Sequence, residues 1–164
     1  MKKKAMAEFE NLYIDFRENI FRVCYLMLSD YQLAEDAMQE TFYKALCAYG
    51  RFKGKSSVKT WLTRIAINEC KDRLKKKSSS ETPDEDVDIL LYTEENIDER
   101  LSVIEAVKAL SFELREVVIL YYYQELTHKE IADILNLTVP NVAYRLKNAK
   151  KRLKKYLSEE DEDG

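Results

Sequence analysis

Little in this chain is suited to covalent chemistry. Its 164 residues include one histidine, one tryptophan, two prolines and three glycines. The histidine, His128, has no nucleophile or carboxylate partner near it in sequence, so general acid–base catalysis finds no site. One histidine and scattered cysteines give no metal-ligand spacing. No glycine-rich loop joins a strand to a basic helix, as a phosphate cradle requires. Catalytic residues, metal and cofactor are all read as none, and no small-molecule substrate is expected. The cysteines, Cys24, Cys47 and Cys70, form no C-x-x-C pair and fall on apolar helical positions. That pattern predicts three buried free thiols and a reducing, cytoplasmic setting. No apolar run approaches the ~18 residues of a membrane span. After Met1-Lys2-Lys3-Lys4 come the acids Glu8, Glu10 and Asp15 instead of the apolar core of an export signal. With so little glycine and proline, and 35% charged residues, the fold class expected is all-α.

Charge is present in blocks. Residues 1–77 carry 16 basic and 10 acidic side chains, net +6; residues 78–105 carry 1 and 10, net −9. Residues 106–157 carry 10 and 5, net +5, and residues 158–164 add −5. Two basic blocks, each with an acidic neighbour, point to two modules that face polyanions. The expected organisation is a small helical domain over 1–77, an acidic flexible linker over 78–95, a second helical domain over 96–158 and an acidic tail over 159–164. The linker mixes Ser, Pro and acidic residues without a sustained period. A relaxed coil of that length spans about 25 Å.

Apolar periodicity predicts three helices in the first domain, over about 5–28, 31–49 and 58–77. Asp30 and Ser57 stand where they can cap the second and third. Four helices follow in the second domain, the last two joined by Asn136-Leu137. Thr127 and Glu130 form a T-x-x-E capping box. Thr138 can cap the last helix, with Pro140 in its first turn, where a missing N–H costs nothing. Val142, Leu146, Ala149, Leu153 and Leu157 make its apolar stripe; Arg145, Lys147, Lys150, Lys151, Arg152, Lys154 and Lys155 make the rest basic. A short helix, a tight turn and a long basic helix is the layout of a DNA-binding helix-turn-helix. An ordinary helical hairpin with a solvated charged face fits the same pattern.

Two other stretches stand out. Glu35, Asp36, Gln39 and Glu40 share one helix face, which fits a solvated surface, a carboxylate pair, or an acidic dock for a basic partner. Residues 50–57, Gly50-Arg51-Phe52-Lys53-Gly54-Lys55-Ser56-Ser57, read as a loop whose two glycines permit positive φ. Basic residues there alternate with Phe52, and Trp61 follows, a mixture that suits a single nucleic-acid strand. Trp61 has Ile65 and Ala66 a turn away and fits the core better than a base platform; Phe52 fits either role.

The motifs in order resemble a known family. Leu33-Ala34-Glu35-Asp36-Ala37-Met38-Gln39-Glu40-Thr41-Phe42 resembles the D/E-D-x-x-Q-E-x-F signature of region 2 in bacterial sigma factors. The run from Phe52 to Asn68 resembles the F-x-G-x-S-x-x-T-W-L-x-R-I-A-x-N segment that follows it. Leu110 to Leu157 resembles region 4, with its L-x-x-x-E-I-A-x-x-L and V-x-x-R-L frames. Two such regions around an acidic linker are similar to the extracytoplasmic-function (ECF) subgroup of sigma-70 factors. The resemblance implies a transcription-initiation subunit that binds core RNA polymerase and promoter DNA, both duplex and melted non-template strand. It also implies control by an anti-sigma factor, often membrane-anchored. Glu35, Asp36, Gln39 and Glu40 would dock polymerase. Arg51, Phe52, Lys53, Lys55, Ser56, Lys59, Arg64, Asn68, Lys71 and Arg73 would meet the minus-ten element. Thr138, Asn141, Tyr144, Arg145, Asn148 and Lys151 would meet the minus-thirty-five element. The helix around Val117 to Tyr123 would embrace a flap of the polymerase. The chain departs from the family pattern at Pro140, Asn141, Ala143 and Tyr144, where Gly, Thr, Lys and Ser are common. A stand-alone helix-turn-helix regulator and a helical adaptor without a DNA role are the rival readings.

Overall fold

The structure, a computed structural model, describes residues 2–77 and 97–163. It divides into two compact units, Met1–Asp86 and Val87–Gly164. The described residues form helices and no strands, and no described helix is long and apolar enough to cross a membrane. The proposed linker, 78–95, lies outside the described residues.

The first unit is a three-helix bundle of α1 (Lys2–Leu28), α2 (Tyr31–Ala48) and α3 (Val58–Lys77). Phe9, Leu12, Phe16, Ile20, Val23 and Met27 recur at three- and four-residue steps and all but the half-buried Phe16 are buried, so α1 forms because one stripe can leave water. Each fully buried large apolar side chain contributes about 1.5–3 kcal/mol. Ser29 ends α1 in the left-handed region, φ 57°, with its N–H on the Tyr25 carbonyl at 2.8 Å. Asp30 then starts α2, its Oδ1 accepting from the Leu33 N–H at 2.9 Å. Ala34, Ala37, Met38, Thr41, Phe42 and Ala45 turn inward. Ser57 caps α3 through the Thr60 N–H at 3.1 Å, as its sequence position predicts. Cys24 and Cys70 are buried, but Cys47 is exposed, against the expectation of three buried thiols. Cys47 stands two positions beyond buried Ala45, about 200° around the helix and so on its outer side. The Cys24 thiol is held well above its usual pKa by a hydrogen bond with Cys70 and by burial, so it stays protonated.

The second unit contains α4 (Ile97–Ala109), α5 (Phe112–Val118), a π-helical turn (Ile119–Tyr123), α6 (His128–Leu135) and α7 (Val139–Asp163). Its core gathers Val107, Leu110, Val117, Leu120, Ile131, Leu135, Val142, Leu146 and Ala149. The Arg115 guanidinium donates to the carbonyls of Lys108 and Leu110, both at 3.0 Å, and closes the end of α4. After Val118, α5 does not continue as regular α-helix but widens. The Gln124 N–H reaches the Ile119 carbonyl at 3.0 Å, an i to i+5 bond. Such turns recur at functional sites. The final helix, α7, runs on through the acidic residues to Asp163.

Candidate nucleic-acid and docking surfaces

In the first unit, α2 presents Asp36 and Gln39 fully and Glu35 and Glu40 partly to solvent. The three acids and one amide expected to dock a partner therefore share an accessible face. Asp36 accepts from Gln32 Nε2 at 3.2 Å. One turn beyond Glu40, Lys44 reaches across to α3 and meets Glu69 Oε2 at 2.6 Å. Arg73 Nε meets the other Glu69 oxygen at 3.1 Å, and Arg73 Nη2 donates to the Asp36 carbonyl at 3.4 Å. Glu69, 6% exposed, thus ties the acidic face of α2 to α3. Its hydrogen bond raises the Lys44 pKa, with further support from the charges of Glu40 and Asp72. A raised lysine pKa means stability that is complete below the ordinary lysine value and lost as pH climbs through the raised one. Lys44→Gln is expected to unfold more easily than wild type at about pH 8, the gap closing beyond about pH 11. Denaturant titrations across that range would show it; a gap constant with pH would refute it.

Residues expected along the minus-ten surface separate into groups. Arg64, Asn68 and Lys71 fall within about 60° of one another around α3, and the first two are exposed. Arg73 lies about 180° from Arg64, on the side that packs toward α2, and is occupied by Glu69. Lys59 is half-buried in the first turn, about 140° from Arg64. The structure therefore brings Arg64, Asn68 and Lys71 together and directs Arg73 and Lys59 elsewhere.

The loop 51–57 exposes Arg51, Lys53, Lys55, Ser56 and Ser57. Gly54 takes positive φ, 71°; Gly50, which the sequence reading also assigned that freedom, sits instead within the 3-10 turn Tyr49–Arg51. Phe52 is half-buried, its ring 4.6 Å from that of Trp61 at 30°. Tyr49 lies 6.4 Å from Trp61, and Phe9 lies 5.7 Å from Tyr49. These four rings form a row from α1 through the turn to α3, with the basic loop carried on it. Phe52 is spent on that row. Sequence reasoning missed Phe9 and Tyr49 as loop supports. The signal available was an aromatic at 49, three residues before Phe52.

In the second unit the helix-turn-helix forms as the capping residues dictate. Thr127 Oγ1 accepts from the Glu130 N–H at 3.1 Å, and Glu130 Oε1 accepts from the Thr127 N–H at 3.1 Å. Asn136 makes the turn in the left-handed conformation, φ 57°, which asparagine tolerates. Thr138 Oγ1 accepts from the Asn141 N–H at 3.2 Å. Val142, Leu146 and Ala149 are buried, which sends Thr138, Asn141, Tyr144 and Lys151 outward, with Asn148 half-exposed. Tyr144 is 65% exposed, far more than an apolar ring needs for packing. Arg145 behaves differently. Its Nη1 lies 3.7 Å from Glu116 Oε1, with side-chain exposures of 25% and 4%. It clamps α7 to α5, a role its sequence position did not reveal. Around the π-turn, Val117, Val118, Ile119 and Leu120 are buried, while Tyr121 and Tyr122 are exposed. Only those two tyrosines of the Val117 to Tyr123 stretch look substantially outward. Among the described residues, no three His, Cys, Asp or Glu side chains gather as a metal site would.

Comparison with known proteins agrees with this division into two surfaces. Residues 12–80 match the model of Sigma-70 region 2, and residues 100–153 match that of Sigma-70, region 4. The ECF RNA polymerase sigma factor SigM of Bacillus subtilis is 30% identical over 151 residues, covering 88% of this chain and 92% of that protein. SigW of the same organism is 29% identical over 173 residues, covering 96% and 92%. Among solved structures, a similar fold is the sigma factor RpoE crystallised with the anti-sigma factor NepR from Bartonella quintana. Its TM-score is 0.79 at 21% identity, covering 92% of this chain and 97% of that one. The chain is a sigma-70-type protein with regions 2 and 4. It belongs to the ECF RNA polymerase sigma factors.

Proposed function

We infer that this chain is an alternative sigma factor: it binds core RNA polymerase, directs it to a class of promoters, and supports DNA melting and initiation. It acts as a specificity subunit and not as an enzyme. The observation that carries this reading is the pairing, in one chain, of an exposed basic loop on an aromatic row with a fully capped helix-turn-helix. The first suits a melted strand; the second suits duplex DNA. Glu35, Asp36, Gln39 and Glu40 dock polymerase, where acidic side chains steer a basic partner. The loop 51–57 and the α3 stripe of Arg64, Asn68 and Lys71 take the minus-ten strand. Thr138, Asn141, Tyr144, Asn148 and Lys151 face the minus-thirty-five element. Tyr121 and Tyr122 offer the polymerase a second, aromatic contact. The domain limits are 1–77 and 96–158, with acidic segments at 78–95 and 159–164. By likeness to RpoE, an anti-sigma factor holds the chain inactive in the cytoplasm, and a membrane-anchored one would retain it there.

The test mixes the chain with core polymerase and a promoter library and reads run-off transcripts. Specific transcripts from a subset of promoters are expected, and their loss in Asp36→Lys/Glu40→Lys. Binding to duplex DNA as a dimer, without polymerase, would support a stand-alone regulator instead. Copurification with polymerase and no transcription would support an adaptor.

A further inference from the structure

The first turns of α1 carry charge that the bundle does not use. Lys2, Lys3 and Lys4 are exposed and make no ion pair among the described residues. The first turn of α1 contains no acid. Cations at a helix N-terminus oppose the macrodipole, so these lysines do not stabilise the helix. Their neighbours explain them better.

The face of α1 that holds Phe9 and Tyr13 packs where α2 ends: Phe9 against Tyr49, and Tyr13 edge-on to Phe42 at 4.9 Å. Glu8 receives the Tyr49 hydroxyl at 3.5 Å. The same face continues through Met6 to Lys2, past the end of α2. There it lines a shallow, largely apolar groove formed by Lys2, Lys3, Met6, Ala7, Phe9 and Tyr13, with Glu10 also on its wall and Met6 55% exposed. Tyr49 opens the turn that leads into the basic loop. Lys2 shares the face of Phe9, about 10 Å along the helix axis from it and from its contact with Tyr49, about one Debye length at 0.1 M salt. Lys2, Lys3 and Lys4 fan over about 200° of the first turn; Lys2 and Lys3 border the groove, and its Phe9 wall meets Tyr49, which leads into Arg51, Lys53 and Lys55. Only Glu8 and Glu10 oppose them locally, and Glu8 is bonded to Tyr49.

We propose that the first turn of α1, with the groove through Met6, is an additional contact for the promoter strand. Lys2, Lys3 and Lys4 take backbone phosphates flanking the base that the loop 51–57 engages, and Met6 supplies an apolar wall for a neighbouring sugar or base. The occupant is nucleic acid and not an apolar protein segment, because the groove is bordered by cations and continuous with the basic loop. The proposal rests on the sigma-factor reading of that loop.

The test uses holoenzyme reconstituted with the full chain and a forked promoter DNA bearing a melted non-template strand, taken from the transcribed library. Lys2→Gln/Lys3→Gln/Lys4→Gln is compared with wild type and with Lys53→Gln/Lys55→Gln over a salt series. Single-strand phosphates contribute about −0.7 each to the slope of log K against log salt, so the triple variant should flatten it by about 2. That corresponds to roughly a hundredfold weaker binding at about 0.1 M salt. Affinity for core polymerase should stay unchanged. An unchanged slope in the triple variant, with a flattened one in the loop variant, overturns this inference and leaves the loop reading standing. Unchanged slopes in both variants overturn the loop reading as well. Weaker polymerase binding by the triple variant overturns the inference and assigns the groove to polymerase.

Discussion

Trp61→Ala is expected to lower the stability of the first unit by about 3 kcal/mol and to cut promoter opening at least tenfold. The stability figure is the bottom of the range for losing a tryptophan, because the indole is half-buried. The functional loss exceeds what unfolding alone would produce. Trp61 is the ring on which Phe52 rests at 4.6 Å, and Tyr49 lies 6.4 Å from it. Without it the loop 51–57 has no floor, and its cations cease to be preorganised for a strand. Ring pairs of this kind contribute about 0.5–1.5 kcal/mol each beyond area burial. Trp61→Phe should restore most of the stability and much of the opening. Denaturant unfolding of the full chain gives the first quantity; permanganate footprinting of holoenzyme on a promoter gives the second. If Trp61→Ala melts normally and opens promoters normally, the aromatic row has no part in holding the loop.

Arg145→Ala is expected to destabilise the second unit by about 2–4 kcal/mol, because it removes a cation 3.7 Å from the buried carboxylate of Glu116. The recognition helix would then lose its clamp to α5, and affinity for minus-thirty-five duplex would fall with it. Glu116→Gln, which keeps the shape and removes the charge, should reproduce much of that loss even though Glu116, 3% exposed, is too buried to touch DNA. Thermal unfolding and duplex binding measured on both variants decide between two roles. If Arg145→Ala weakens binding tenfold while melting is unchanged, and Glu116→Gln does nothing, Arg145 is a direct DNA contact. Asn141→Ala and Tyr144→Ala serve as reference variants, since their exposed side chains contribute little to the core.

The caps and turns held by bonds spanning three or four residues were legible in the sequence. The capping box of Thr127 and Glu130, the caps at Asp30, Ser57 and Thr138, and the turn at Asn136 all depend on short-range chemistry. The helix boundaries they set agree closely with the structure. What stayed hidden depends on partners far along the chain. Lys44 meets Glu69 across 25 positions, and neither residue carries a mark that names the other. Arg145 and Glu116 are similarly remote, so a basic residue on a DNA-reading helix passed for a free one. The widening into a π-turn at Ile119 also has no sequence signature, because it answers to packing. Two facts of phase were available from the sequence. The helical phase of Arg73 relative to Arg64, and of Cys47 relative to Ala45, follows from 3.6 residues per turn alone. Both were grouped by residue type instead of by angle.

The accessibility of Cys47 has a practical side. The chain contains three thiols, and two of them are sealed between α1 and α3, with Cys24 held protonated by Cys70. A thiol-directed dye applied to the folded protein thus has one place to go. That place is the outer side of α2, two turns past Gln39 and Glu40, on the same helix as Asp36. The protein brings its own attachment point for a fluorophore beside the surface we assign to polymerase, with no cysteine to add or remove.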